Sequence, residues 1–219
     1  MNRIISAVKL DFLTAKSEQR IVIIAFLIPI VIGLASRNPY LTMVFAMMLS
    51  TNIAGTVFAI HEKSHSDKLY GILPLKKSEM IAGRYLFGII IGVLAIVIAG
   101  ILFLVISKIM KSAFTGPAFW GVFALAFIYY CFAVAISYPI YLKFTFAKAY
   151  IFTMLPVYVI LIIIVVLARK TGLAGTMSHA IQFFSRNLFL VPITGIIAGL
   201  VLLVISAVIA NLIYTRREI

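Results

Sequence analysis

Two histidines and a glutamate stand at metal-ligand spacing in the segment His61-Glu62-Lys63-Ser64-His65. On a helix, positions i and i+4 share a face. His61 and His65 can then offer both imidazoles to one zinc ion while Glu62 activates a bound water, the arrangement of a metal-dependent protease. A catalytic zinc needs a third protein ligand. His179 falls on the opposite side of the membrane in the topology set out below, and nothing places Asp67 or Glu79 beside the pair. A membrane-embedded zinc protease built on His61, Glu62 and His65 is therefore an alternative expectation that lacks one ligand.

The polar chemistry within the apolar segments is neutral. Asn52 and Thr56 lie one turn apart, in line with Phe45 and Met48, and Tyr129 and Tyr130 follow in a later segment. Such groups can line a path for an amphipathic molecule, or they can make hydrogen bonds between helices, the commoner use. Carriers driven by ions usually hold an acid, base or histidine within the membrane, and none sits mid-span here. The chain also lacks G-x-x-x-x-G-K-[ST], so it has no phosphate-binding loop of its own for ATP. No catalytic residue is expected, and no cofactor in this chain.

These residues must be positioned by elements that the composition restricts to one class. Of 219 residues, 64% are hydrophobic and 11% charged, against about 45–50% and 25% in soluble domains. The chain is too apolar for a water-soluble globule. Its formal charge of +13 is scattered between apolar runs, which suits contact with anionic lipid rather than nucleic acid. The lone cysteine, Cys131, excludes a disulfide framework.

A membrane helix needs about 20 mostly apolar residues. Six candidate spans are expected at residues 21–36 (short, with Pro29 inside it), 40–60, 81–107, 117–139, 150–168 and 188–213. Gly116 and Pro117 mark a helix start. With both termini in the cytoplasm, the inner segments hold 13 of the 19 basic residues and all six acidic ones, as the positive-inside rule requires. Several tyrosines crowd spans four and five (Tyr129, Tyr130, Tyr138, Tyr141, Tyr150 and Tyr158), some of them as interface anchors. The expected fold is an all-α integral membrane protein with six spans, forming one transmembrane domain over residues 1–219 with no room for a separate soluble unit.

Two cytoplasmic segments have structure of their own. In residues 1–20, Ile4, Ile5, Val8, Phe12 and Ala15 recur at helical spacing, which predicts an amphipathic helix on the inner membrane surface. Residues 61–80 form the longest cytoplasmic loop, with a short helix ended by Gly71 and Pro74 and a new helix start capped by Ser78. Exposed Leu69 and Tyr70 make this loop a candidate docking surface. The outer loop, 169–187, is also long. Gly88/Gly92 and Gly195/Gly199 are G-x-x-x-G pairs that permit close helix approach, more often within one subunit than between two.

Glu62, Leu73-Pro74-Leu75, Lys76-Lys77, Ser78-Glu79 and Gly83-Arg84-Tyr85-Leu86, with the opening Val8-Lys9-Leu10-Asp11-Phe12-Leu13, resemble the membrane subunits of type-2 ABC exporters. These motifs cover about a quarter of the chain, and the span layout extends the likeness to the whole. The resemblance implies that residues 62–71 are a coupling helix seated in a separate ATPase, through Glu62, Lys63, Asp67, Lys68, Leu69, Tyr70 and Gly71. It implies that residues 1–20 are a connecting helix touching the same partner, with Lys9, Asp11 and Phe12 among its residues. Two permeases, identical or related, and two ATPases would form the transporter, with ATP and magnesium on the ATPases. Phe45, Met48, Asn52, Thr56, Tyr129 and Tyr130 become candidates for the substrate path. Within the family, the likeness is to bacterial cell-membrane exporters of antimicrobial or amphipathic toxin peptides, phenol-soluble modulins among them. His61 and His65 are no part of the family's pattern. A non-enzymatic membrane immunity or scaffold protein is the remaining alternative.

Overall fold

The computed structural model describes residues 2–16, 19–63, 77–111, 116–144, 146, 149–150 and 190–215. These residues form six helices: α1 (Asn2–Lys16), α2 (Gln19–Ala35), α3 (Pro39–Lys63), α4 (Lys77–Ile109), α5 (Gly116–Lys143) and α6 (Leu190–Thr215). α3 to α6 are each long and apolar enough to cross a membrane. They contain the second, third, fourth and most of the sixth expected spans. The apolar part of α2, Val22–Ala35, is shorter. At 1.5 Å per residue, all of α2 is about 25 Å long, less than the roughly 30 Å of a bilayer's hydrocarbon core. α2 runs unbroken through Pro29. Beyond Tyr150, the fifth expected span and the outer loop 169–187 lie outside the described residues.

Local sequence sets the helix ends. α2 and α3 are joined by three residues, with Arg37 in the left-handed conformation at φ 51°. The Asn38 amide N–H donates back to the Gly33 carbonyl at 3.2 Å. The Asn38 side chain then caps α3, accepting the Tyr40 amide N–H at 3.0 Å, with Pro39 at the first helical position. The start of α5 at Gly116-Pro117 is the expected one. α4 has 33 residues, about 50 Å, so it outreaches a bilayer core and its first turns stand at the boundary.

α3 is the central helix, touching α1, α2, α4 and α5, and α5 packs most extensively on α6. The core combines Met43 and Met47 of α3, Ile96 and Phe103 of α4, Tyr130, Val134 and Tyr138 of α5, and Leu203 of α6. Gly92 lets α5 lie close to α4, because a β-carbon there would stand 2.4 Å from the Tyr130 ring. Gly199 admits Cys131 in the same way, at 2.9 Å from its sulfur. Both G-x-x-x-G pairs are thus filled by α5 of the same chain.

Tyr130, Tyr138 and Tyr141 are buried in the core. Burial is tolerable because the hydroxyls find backbone carbonyls. Tyr130 donates to Gly88 at 2.6 Å, and Tyr138 to Ala54 at 3.3 Å.

Candidate functional site

α1 is amphipathic but lies less freely on a surface than its pattern suggests. It docks against α4 and α3 with Ala7, Val8, Asp11 and Ala15 buried, while Ile5, expected on the buried face, is 56% exposed. These four stand at i, i+1, i+4 and i+8, on one side of the helix, and Asp11 lies among them. Gly83 of α4 makes the approach possible, because a β-carbon there would come within 2.8 Å of the Ala7 methyl. Phe12 packs edge-on against Phe87 with ring centres 5.0 Å apart.

Beneath this contact lies a buried charged junction. Arg84 of α4 donates from Nη2 to Nδ1 of His61 on α3 at 2.6 Å. Since guanidinium has no acceptor, this bond fixes the imidazole proton on Nε2. Nε2 stands 3.9 Å from Oδ1 of Asp11. The three side chains, from three helices, are each at most 6% exposed. The Arg84 guanidinium also covers the Phe58 ring at 4.6 Å, a cation–π contact. Among the described residues, Asp11 Oδ2 and Arg84 Nε have no hydrogen-bond partner. Burial pushes the Asp11 carboxyl up to about 6, and the positive charge of Arg84 opposes that rise.

The next residue extends the junction across the bundle. Tyr85 shares a 2.7 Å hydrogen bond with Ser206 of α6, and Ser206 donates to the Ala135 carbonyl of α5 at 2.6 Å. Gly83, Arg84 and Tyr85 thus engage α1, α3 and α6 in turn. The triplet stands out in the sequence as part of a motif, but its partners, distant along the chain, do not. The visible signal was Asp11, the one acid on an otherwise apolar face.

The expected loop 61–80 is helical at both ends, because α3 continues through Lys63 and α4 begins at Lys77. Burial of His61 against Arg84 is what carries α3 past the predicted boundary. Glu62 is exposed and accepts the backbone N–H of Phe146, tying the end of α3 to the chain beyond α5. Of the other coupling residues, Asp67, Lys68, Leu69, Tyr70 and Gly71 lie outside the described residues, as does the Lys63 side chain. On α1, Asp11 faces the junction, whereas Lys9 is exposed.

The structure gives His61 a different use from zinc ligation. Nδ1 is occupied by Arg84 and Nε2 is turned toward Asp11. His65 lies outside the described residues, and no group of three or more possible metal ligands occurs among those described.

The path candidates do not converge on one described cavity. Thr56 bonds the Ile53 carbonyl at 2.7 Å, as Thr51 bonds that of Met48, both within α3. Asn52 accepts from the Tyr150 hydroxyl at 3.5 Å. Met48 is buried, Phe45 half-buried and Tyr130 enclosed in the core, with Tyr129 half-buried beside it. A cavity of about 580 Å³ opens elsewhere, between α1, α2, α3 and α4, and none of these six residues lines it.

A family model described as ABC-2 family transporter protein matches residues 8–215. No curated protein and no solved structure matches the chain. The family match begins at Val8 on the docking face of α1 and ends at the last residue of α6, so it takes in the junction and every helix that carries it. The chain belongs to the ABC-2 family of transporter membrane proteins.

Proposed function

We propose that this chain is the translocation subunit of an ATP-driven exporter of amphipathic or antimicrobial peptides in the bacterial cell membrane. Family membership makes it a multi-pass permease that works with an ABC ATPase and does not itself hydrolyse ATP. In the proposed assembly, two permease chains, identical or related, pair with two ATPases that carry ATP and magnesium. Residues 62–71 seat in the ATPase, and α1 lies beside them as the connecting helix. Both termini are cytoplasmic.

The observation that supports this reading is the junction at the base of α4. α3 ends at Lys63 and α4 begins at Lys77. Just inside those ends, His61 and Arg84 bond the two helices to each other, with Asp11 of α1 beside them. A displacement of the loop by the ATPase is then passed to three helices together. Phe45, Met48, Asn52, Thr56, Tyr129 and Tyr130 are proposed to contact substrate during the cycle.

The test is to tag the chain, extract it gently from its native membrane and identify stoichiometric partners by mass spectrometry. A co-purifying chain with a phosphate-binding loop, whose hydrolysis is stimulated by amphipathic peptides in reconstituted vesicles, is the expected result. A monodisperse sample without any ATPase overturns the proposal. An ATPase stimulated only by other substrates removes the peptide assignment.

A further inference from the structure

The 580 Å³ cavity has the volume of a small-ligand site, within the range of about 300–1,000 Å³, and its walls are three helical stripes. α1 contributes Lys9, Phe12, Leu13 and Lys16, which repeat at i, i+3, i+4 and i+7, with Phe12 and the neighbouring Ala15 shared with the docked face. α4 contributes Ile91, Leu94, Ala95 and Ile98 with the same spacing, and α2 contributes Val22, Ile23 and Phe26. The α4 stripe rises about 10 Å along its helix at 1.5 Å per residue. Below α1 the lining is wholly apolar, and the two lysines stand at the α1 end.

We propose that this groove binds one anionic phospholipid, with an acyl chain along the α2 and α4 stripes and the headgroup phosphate held by Lys9 and Lys16. Charge complementarity selects the occupant. A hydrocarbon slot bounded at one end by two ammonium groups matches a molecule with an apolar tail and an anionic head. Among the described residues, neither lysine is paired with a carboxylate. Both belong to the first helix, whose sequence pattern predicts a place on the inner membrane surface, and long lysine stems can reach along apolar surface while the charge stays at the polar level. A zwitterionic lipid offers the same tail with no net charge. Lys9 is also among the residues assigned to the connecting helix. The lipid site needs no ATPase, so its test is separate from that of the proposed function.

The experiment uses the full chain in nanodiscs without partners. Trp120 is the single tryptophan, so a Trp120→Phe, Leu13→Trp variant reports from the groove. Its fluorescence is quenched by phosphatidylglycerol brominated on the acyl chain, compared with brominated phosphatidylcholine at the same mole fraction. Two lysines at a lipid surface are together worth on the order of tenfold in preference for an anionic headgroup. A preference of that size, abolished by Lys9→Gln with Lys16→Gln, is the expected result. Equal quenching by both lipids, or a preference that survives loss of both lysines, overturns the proposal. So does the absence of quenching by either lipid, which means that a protein surface closes the groove. Native mass spectrometry of the wild-type chain, counting retained phosphatidylglycerol against the double lysine variant, gives the same decision without the reporter.

Discussion

Arg84 and His61, 23 positions apart in the chain, meet through a 2.6 Å hydrogen bond in which the guanidinium donates to Nδ1 and neither side chain reaches solvent. That bond holds the end of α3, which stops at Lys63, to the first turns of α4, which begins at Lys77. Asp11 supplies the opposite charge from a third helix. Removing one member of a buried charged set costs about 3–5 kcal/mol, because the others are left uncompensated. Arg84→Met is therefore expected to lower stability by roughly that amount. Pairing it with Asp11→Asn should recover part of the loss. Thermal unfolding of both variants in detergent checks this, and an Arg84→Met chain as stable as the wild type counts against the junction.

Acid has a calculable effect at the same place. Burial holds the Asp11 carboxyl at about 6 against an ordinary 3.8, so between those values the folded chain keeps a proton that the unfolded chain has released. Stability is expected to fall as pH rises from about 4 to about 6 and to level off above, by on the order of 3 kcal/mol for this one group. Asp11→Asn should flatten that segment of the profile. An unchanged slope in the variant places the titration elsewhere.

Loop residues carry the test of coupling. Replacing Leu69 and Tyr70 by alanine is expected to uncouple ATP hydrolysis from transport in the reconstituted complex while the permease keeps its fold. Transport and hydrolysis measured on the same vesicles separate the two, and retained coupling removes the docking assignment from these residues.

Helix packing gives a prediction that does not depend on the partner. Gly92→Ala would place a methyl 2.4 Å from the Tyr130 ring, and overpacking of this kind costs about 1–3 kcal/mol. Tyr130→Phe loses the 2.6 Å bond to the Gly88 carbonyl, worth about 1 kcal/mol. Because both changes act on one contact, their effects should not add. Unfolding of the two single variants and the double variant measures the coupling.

Metal removal should leave the protein unaltered at His61. With Nδ1 bonded to Arg84, chelation is expected to leave the unfolding temperature of the isolated chain unchanged. Stoichiometric zinc in the purified chain that disappears with His61→Ala would show the ring in another state.

The spans were legible because apolar run length is a local property. Residues 40–60, 81–107 and 117–139 fall within α3, α4 and α5, and the Gly116-Pro117 start of α5 follows from proline's fixed φ and missing N–H. The junction was not legible, because its members come from positions 11, 61 and 84 and only folding brings them together. The polar run from His61 to His65 reads locally as loop, whereas burial of His61 against Arg84 keeps the chain helical through Lys63. The buried tyrosines escape a local reading for a related reason. A polar tip on an apolar ring suits a membrane interface, but it suits a core equally when a carbonyl such as that of Gly88 accepts the hydroxyl.

The buried Asp11 also sets an order of assembly. It is synthesised more than 70 residues ahead of Arg84, so for that interval the first helix carries an acid on its apolar face with no site to receive it. Docking of α1 must follow insertion of α4, so α1 settles into the bundle after a helix that is synthesised later than itself. A chain whose fourth helix fails to insert is left with an undocked, charged amphipathic helix, a surface that a membrane quality-control protease can recognise.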